Sequence, residues 1–459
     1  MKLLKENIFP IIIIVIGIFY VYHLSLESCL HKEWCGQDID QYKDYSDSIL
    51  SGHGFAASNV ANIYFVTPDP GNLYIPEILR LPSFSYFITI LRLIYDNPLV
   101  LVYLNLFLYL GILIYTYLFA RMYLGKFYSS LVLLLVAFYP TLLFYSGIYA
   151  NVDIFSCFMF MGYIFHVLKF ENFSFSYKHV FMALLYGTLA ILSRQNALPI
   201  ILIPALYICL NSIFRRKIGY KFKRALLVLS IMILVLFGWS YRNYTIVNSL
   251  GLSFYSGNQL YSEHIIFTRF PNQASIYLYN WAKSDKGITF YIQNRIKNGD
   301  TIAKAYVSYN SFMKNIMFEH IFKYPIKTLN EYVFSYKTFF MVYPFSSGDN
   351  AFLFNLMRIY NFINYFILIL LPIFPILIYA KKDLLSEKYE GLIFLWFSTN
   401  LYCFASTFFH GTTIGNRGVL PIFPIIVFIC IYFLSVIISR TLNLDSFDVY
   451  KHGKKTEYL

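Results

Sequence analysis

Leu99-Val-Leu-Val-Tyr-Leu-Asn-Leu-Phe-Leu-Tyr-Leu-Gly-Ile-Leu-Ile-Tyr-Thr-Tyr-Leu-Phe-Ala120 is an unbroken uncharged stretch that ends on Arg121. As a helix it is about 33 Å long, enough to cross a hydrocarbon core of about 30 Å. Nine further runs of this kind flank it: 8–24, 127–147, 152–169, 179–193, 197–213, 224–243, 359–380, 390–408 and 419–439. The composition agrees, with 58% hydrophobic and 13% charged residues, where soluble domains carry roughly a quarter charged. The reading is an all-α polytopic membrane protein with a bundle of about ten transmembrane helices. Pro140, Pro204, Pro372, Pro375 and Pro424 fall inside the runs. Membrane helices tolerate proline where neighbours satisfy the freed backbone groups. Segment 82–95 is apolar but too short to span, and is expected to lie as a juxtamembrane helix at the outer interface.

Orientation follows from the basic residues, which crowd cytoplasmic loops. With the N-terminus inside, the inner connections hold Arg121 and Lys126, then Lys169 and Lys178, then Arg215, Arg216, Lys217, Lys221, Lys223 and Arg224. Lys381, Lys382, Lys388 and the tail from Arg440 follow. Counting 82–95 as a span would put the strongest basic cluster outside. The net charge of +13 therefore belongs to span ends and not to nucleic-acid binding. Many of the 43 Tyr and 47 Phe lie near span ends, where amphipathic rings favour the interface. The apolar run Ile8 to Tyr22 after Met1-Lys-Leu-Leu-Lys lacks a small-x-small cleavage site and reads as a retained signal anchor. Cys157, Cys209, Cys403 and Cys430 lie in spans and read as buried thiols. Cys29 and Cys35 are either a disulfide or a free pair. Three regions result: a core, 1–243, with a first outer loop at 25–98; a polar outer segment, 244–358, expected to be a small helical domain; and C-terminal helices with a short cytoplasmic tail, 359–459.

The first outer loop is the densest in chemistry: Asp38-Ile-Asp-Gln-Tyr42-Lys-Asp-Tyr45-Ser-Asp-Ser-Ile49-Leu-Ser-Gly52-His-Gly54-Phe55. Asp38, Tyr42, Tyr45 and Ile49 recur at helical spacing, and the Gly-x-Gly pair stops the helix. Asp38 is either its N-cap or a general base at the mouth of the bundle. The derived topology also puts Arg80, Asp153, Arg194, Arg242, His410 and Arg417 on the outer side. Charged groups at that depth are costly and usually functional. The plainer reading of an arginine at a span end is an anchor in headgroups, and that of Asp153 is a solvated loop carboxylate.

The loop pattern Asp-x3-Tyr followed by Gly-x-Gly-Phe resembles the first outer loop of GT-C glycosyltransferases. The nearest branch is that of bacterial protein mannosyltransferases and lipid A aminoarabinose transferases, glycosyltransferase family 39-like. The resemblance continues in order through Arg80-Leu-Pro82-Ser-Phe-Ser-Tyr86, Tyr149-Ala-Asn-Val-Asp153 and Ser193-Arg194-Gln. Trp239-Ser-Tyr-Arg242-Asn243-Tyr244 with Gly257-Asn258 and His410…Arg417-Gly-Val-Leu-Pro421-Ile-Phe-Pro424 complete it. It implies inverting transfer of a sugar from a polyprenyl-phosphate donor to a hydroxyl acceptor on a glycan, lipid or protein. Asp38 falls on the catalytic acidic position, and Asp153 would orient the acceptor or share the base role. Tyr42, Arg80, Arg194, Arg242, Asn243, Asn258, His410 and Arg417 would bind substrates, with Arg194, Arg242 or Arg417 on the phosphate. No cofactor is implied. Asp38, Asp40, Asp153 and His410 are able to ligate a divalent metal, but no spacing demands one. The resemblance also implies a bacterial inner membrane with both termini cytoplasmic. The competing readings are an oligosaccharide polymerase or ligase using a diphosphate-linked donor, a flippase, and an inactive relative. Spans nearly free of charge and without an inverted repeat disfavour the flippase, and the presence of Asp38 disfavours the inactive relative.

Overall fold

A computed structural model describes residues 2–29, 39–58, 74–147, 152–172, 176–216, 219–254, 287–340, 351–379, 387–410 and 416–441. The chain opens with α1 (Lys2–Cys29) and α2 (Ile39–Leu50), followed by a two-stranded antiparallel ribbon of β1 (Ala56–Ala57) and β2 (Ile75–Pro76). Next come α3 (Ser83–Ile94), α4 (Leu99–Tyr123), α5 (Lys126–Ala137), α6 (Pro140–Gly147), α7 (Val152–Asn172), α8 (Tyr177–Ile191), α9 (Leu198–Phe214) and α10 (Tyr220–Val247). The second large segment contributes α11 (Ile288–Lys297), α12 (Ile302–Lys323) and α13 (Pro325–Phe340). Then α14 (Ala351–Tyr379), α15 (Glu387–His410), α16 (Asn416–Val419) and α17 (Phe423–Thr441) finish the bundle.

Among the described residues, six helical stretches are long and apolar enough to cross a membrane: Ile8–Leu26, Leu99–Tyr123, Val152–Lys169, Gln195–Phe214, Tyr220–Val247 and Leu420–Ile438. The pair α5 and α6 makes a seventh, bent by 53°. The apolar stretches Phe352–Leu368 and Leu392–Thr407 lie within the longer helices α14 and α15. With α8, which has 15 residues, every one of the ten apolar runs read from the sequence falls on a helix. The protein is a multi-pass membrane protein. Helix α3 is 12 residues, about 18 Å, and cannot span. It leaves Ile90, Leu93 and Ile94 exposed, as expected of a helix lying at an interface.

Two of the prolines, Pro140 and Pro375, are met by aromatic donors. Pro140 ends the ladder of α5 and lacks an N–H. Near that break, Tyr109 donates to the carbonyl of Ala137 at 2.7 Å and Tyr360 to that of Leu135 at 2.6 Å. Pro375 frees the carbonyl of Leu371, four residues earlier, and Trp396 Nε1 donates to it at 2.6 Å. With no water in the hydrocarbon, each such donor stands in for a missing intrahelical bond.

Packing ranks the spans. Helix α7 is the axis of the bundle, with 94% of its apolar window buried, and α4, α8 and α9 pack around it. Glycines permit the close approach: Gly111 of α4 faces Phe158, and Gly162 of α7 faces Tyr186, where an added Cβ would overlap the ring. Cys157, Cys209, Cys403 and Cys430 are buried thiols. Helix α10 is peripheral, with 22% of its window buried. The N-terminal helix α1 packs against α4, α5 and α6 and is a working part of the bundle.

Candidate active site

Helix α2 ends as the glycine pair requires. Gly52 has φ of 82°; the N–H of His53 reaches the carbonyl of Ser48 at 2.9 Å and that of Gly52 reaches Ile49 at 3.1 Å. This is a Schellman stop. The helix is strapped to α3 by Arg92, which pairs with Asp47 at 2.8 Å and Asp96 at 2.7 Å. Its aromatic face is buried as the spacing predicts: the Tyr42 ring meets Phe84 edge-on at 4.9 Å, and Phe84 lies 5.4 Å from Phe155 of α7. The first turn of α2 is thereby held over the first turn of α7.

Two sequence motifs meet at this point. Arg80 Nη2 donates to Gln41 Oε1 at 3.1 Å, in the first turn of α2. Three residues on, Ser83 is fixed to the end of α8, its N–H on the carbonyl of Leu192 at 3.0 Å and its Oγ on that of Leu189 at 2.9 Å. Arg194 follows that end directly, and its guanidinium forms an ion pair with the wholly buried Asp153. Asp153 sits in the first turn of α7, where the helix dipole favours a carboxylate. Beneath the pair, Ser156 and Ser193 join their hydroxyls at 2.9 Å. Tyr402 of α15 lies beside both Asp153 and Arg194 and donates to the carbonyl of Gly418 at 3.2 Å. Asn196 Nδ2 reaches Ser406 Oγ at 3.1 Å. The Arg417-Gly418 stretch is thus drawn to the same end of the bundle.

A second cluster closes the first loop. Arg242 Nη1 donates to the carbonyl of Glu77 and to Asn243 Oδ1 at 2.9 Å, while Nη2 donates to the carbonyl of Phe55 at 3.1 Å. Its guanidinium lies 4.9 Å from the Trp239 ring centre. Asn243 is fully buried and donates to the carbonyl of Gly251 at 2.8 Å. Trp239 Nε1 reaches Leu252 at 3.0 Å, and Ser253 Oγ reaches the carbonyl of Leu79 at 2.6 Å. The Trp-x2-Arg-Asn signature therefore knots the start of the second large segment to the ribbon of the first.

Inside that knot is a carboxylate the sequence reading passed over. Glu77 is completely buried, and its Oε1 accepts from the N–H groups of Leu79 and Arg80. Burial pushes its pKa above the usual carboxylate range, against the opposing pull of the Tyr45 hydroxyl, the two N–H groups and the Arg80 charge. Its signal in the sequence was faint: one acid in the apolar string Tyr74-Ile-Pro-Glu77-Ile-Leu. Tyr402 carried none, being one of 43 tyrosines.

Of the residues singled out in the sequence, Tyr42, Arg80, Asp153 and Arg194 come together, while Arg242 and Asn243 form the neighbouring knot. Asp38 and Asn258 lie outside the described residues, as do the side chains of His410 and Arg417. Ile39, next after Asp38, opens α2. Among the described residues no three His, Cys, Asp or Glu side chains converge to hold a metal ion.

No family model matches this sequence, nor does any curated protein. Solved structures do. The oligosaccharyltransferase of Archaeoglobus fulgidus, tethered to an acceptor peptide with an NVT sequon, superposes with TM-score 0.51 over 97% of this chain at 14% identity. Its apo form gives 0.52 over 95% at 15% identity. The chain has the GT-C fold. It spans about half the length of that oligosaccharyltransferase, covering 51% of it. ArnT from Cupriavidus metallidurans, bound to undecaprenyl phosphate, is a looser match at TM-score 0.40 and 11% identity, over 90% of this chain and 77% of that one. Within the GT-C fold the Asp153–Arg194 pair stands at the end of the bundle that bears the first loop.

Proposed function

We propose that this protein is a membrane glycosyltransferase that moves a sugar from a polyprenyl-phosphate donor to an acceptor hydroxyl, with inversion, on the outer face of a bacterial inner membrane. The observation that carries the reading is the convergence of α2, the Arg80 turn and the buried Asp153–Arg194 pair at one end of a GT-C bundle. A polyprenyl phosphate leaves as a stable anion, so the leaving oxygen needs positive charge and little proton donation. Arg80, Arg194 and Arg417 supply that charge in this reading, since guanidinium binds phosphate with two parallel hydrogen bonds. Asp38, which precedes Ile39 in the sequence, takes the proton from the acceptor hydroxyl as it attacks the anomeric carbon. The bond from that carbon to the phosphate oxygen breaks as the new glycosidic bond forms. Asp153 holds Arg194 in place, and Arg242 with Asn243 serves the reaction by shaping the loop.

The test begins with mass spectrometry of surface glycans from cells with and without the gene, which identifies the sugar and acceptor. Asp38→Asn is then expected to abolish transfer while expression and membrane insertion stay normal. Near-normal transfer by the Asn protein would sink the base assignment. The phosphate count of the released lipid separates this reading from a polymerase or ligase that uses a diphosphate-linked donor.

A further inference from the structure

Over residues 326–335 helix α13 has its polarity turned inside out, before Phe339 and Phe340 are buried in its last turn. Thr328, Glu331 and Ser335, one per turn, face the protein and are buried. The opposite side presents Ile326 at 75% exposure, Leu329 at 60% and Val333 at 58%. The end of α12, joined to α13 through Tyr324 alone, adds Phe322 at 82% and Phe318. A helix on a water-facing domain buries its apolar stripe and exposes its polar one. The buried Glu331 has the buried His320 of α12 beside it, whose Nε2 lies 3.7 Å from Oε2. The exposed apolar row has no such account in water.

We infer that the α12–α13 corner is a membrane-binding element, with Phe322, Ile326, Leu329 and Val333 seated in the acyl region of the bilayer. Two further observations select lipid over a protein partner. Every exposed charge between residues 321 and 340 is a lysine: Lys323, Lys327 and Lys337. Lysines flanking an apolar helical face reach back to phosphate headgroups while their stems stay in the apolar layer. The face is also continuous with surface that already meets lipid. Tyr332 of α13 packs on Phe404 of α15 at 5.2 Å, and α13 lies against α14, whose Phe352, Ile359 and Phe362 are exposed. The expectation that 244–358 is a polar outer segment forming a small helical domain is narrowed accordingly. Its last part is a foot in the bilayer, and α12 links that foot to β2 of the first loop.

Spin-label accessibility in liposomes of phosphatidylethanolamine and phosphatidylglycerol decides this without any knowledge of the substrate. Labels are placed through Ile326→Cys, Leu329→Cys and Val333→Cys in a background of Cys29→Ser and Cys35→Ser, the other four cysteines being buried. Asn298→Cys, exposed at the end of α11, is the water reference, and Phe362→Cys on α14 the lipid reference. The expected result is high oxygen and low nickel-chelate accessibility at 326, 329 and 333, matching 362. Nickel accessibility equal to that at 298 would place the corner in water and overturn the inference. Low accessibility to both reagents would mean a protein covers it, which also overturns it. As a second reading, Val333→Glu is expected to lower the yield of folded protein in membranes, whereas a face in water would tolerate it.

Discussion

Arg194 and Arg242 look alike in the sequence, each at the end of an apolar run and both expected on the outer side, yet the fold uses them in opposite ways. Arg194 meets a carboxylate. Its partner Asp153 is wholly buried in the first turn of the central helix, so the pair is an island of compensated charge in a low-dielectric place. Arg242 meets backbone instead, dividing its fork among the carbonyls of Glu77 and Phe55 and the side chain of Asn243. The contrast teaches that an arginine at a membrane boundary is defined by what faces it. Opposite a buried acid it is half of a compensated pair. Opposite backbone carbonyls it is a clasp.

The sharpest way to break this contrast is Arg194→Ala, which takes the ion-pair partner from the buried Asp153. Loss of one partner of a buried pair costs on the order of 3–5 kcal/mol, and Asp153→Asn in the same chain is expected to restore part of it. Thermal unfolding in detergent reads both, and an unshifted midpoint for Arg194→Ala would show that the pair is not buried as described. Arg242→Ala comes next. It removes charge-assisted bonds to the loop and is expected to cost roughly 2–3 kcal/mol, concentrated in faster hydrogen exchange at Ala56, Ala57 and Ile75. Equal exchange across the whole chain would deny the clasp its local role.

A smaller effect with a definite sign comes from Glu77. Its folded pKa lies above the ordinary 4.5 because burial disfavours the charged form. The folded protein thus keeps a proton that the unfolded chain releases. That contribution to stability is full below about 4.5 and is lost as pH rises through the folded value. Glu77→Gln is therefore expected to gain on the natural protein as pH rises above 4.5, and a pH-independent difference in unfolding midpoint would refute it. The smallest expected change is Ser253→Ala, which deletes one hydroxyl bond to Leu79. It should cost about 1 kcal/mol or less, and sharpens the comparison by weighing a single strand of the Arg242 knot in the same unfolding measurement.

Much of this molecule was legible in its sequence. The ten apolar runs, the short interfacial helix and the aromatic face of α2 follow from periodicity and length, because hydrocarbon thickness and helix pitch are constants. The buried state of Cys157, Cys209, Cys403 and Cys430 followed from their positions in those runs. The meeting of Tyr42, Arg80, Asp153 and Arg194 was legible only as a shared membrane side. Glu77 and Tyr402 were close to invisible, since nothing in their neighbours' identities announces a partner far along the chain. The polarity of α13 was equally hidden: its string of Thr, Asn, Glu, Tyr and Lys reads as a water-facing helix until one knows which side is covered.

What the sequence determined by itself was which segments are long and apolar enough to cross a membrane, because length and hydropathy are properties of each segment alone. What only the tertiary structure decided was which polar groups meet. A guanidinium, a carboxyl or a freed carbonyl has no identity as site, clasp or cap until another segment is brought within about 3 Å of it. Asp153 with Arg194, Arg242 with the loop carbonyls and Trp396 with Leu371 are pairs of that kind, and packing around α7 chose the ones that surround the candidate site.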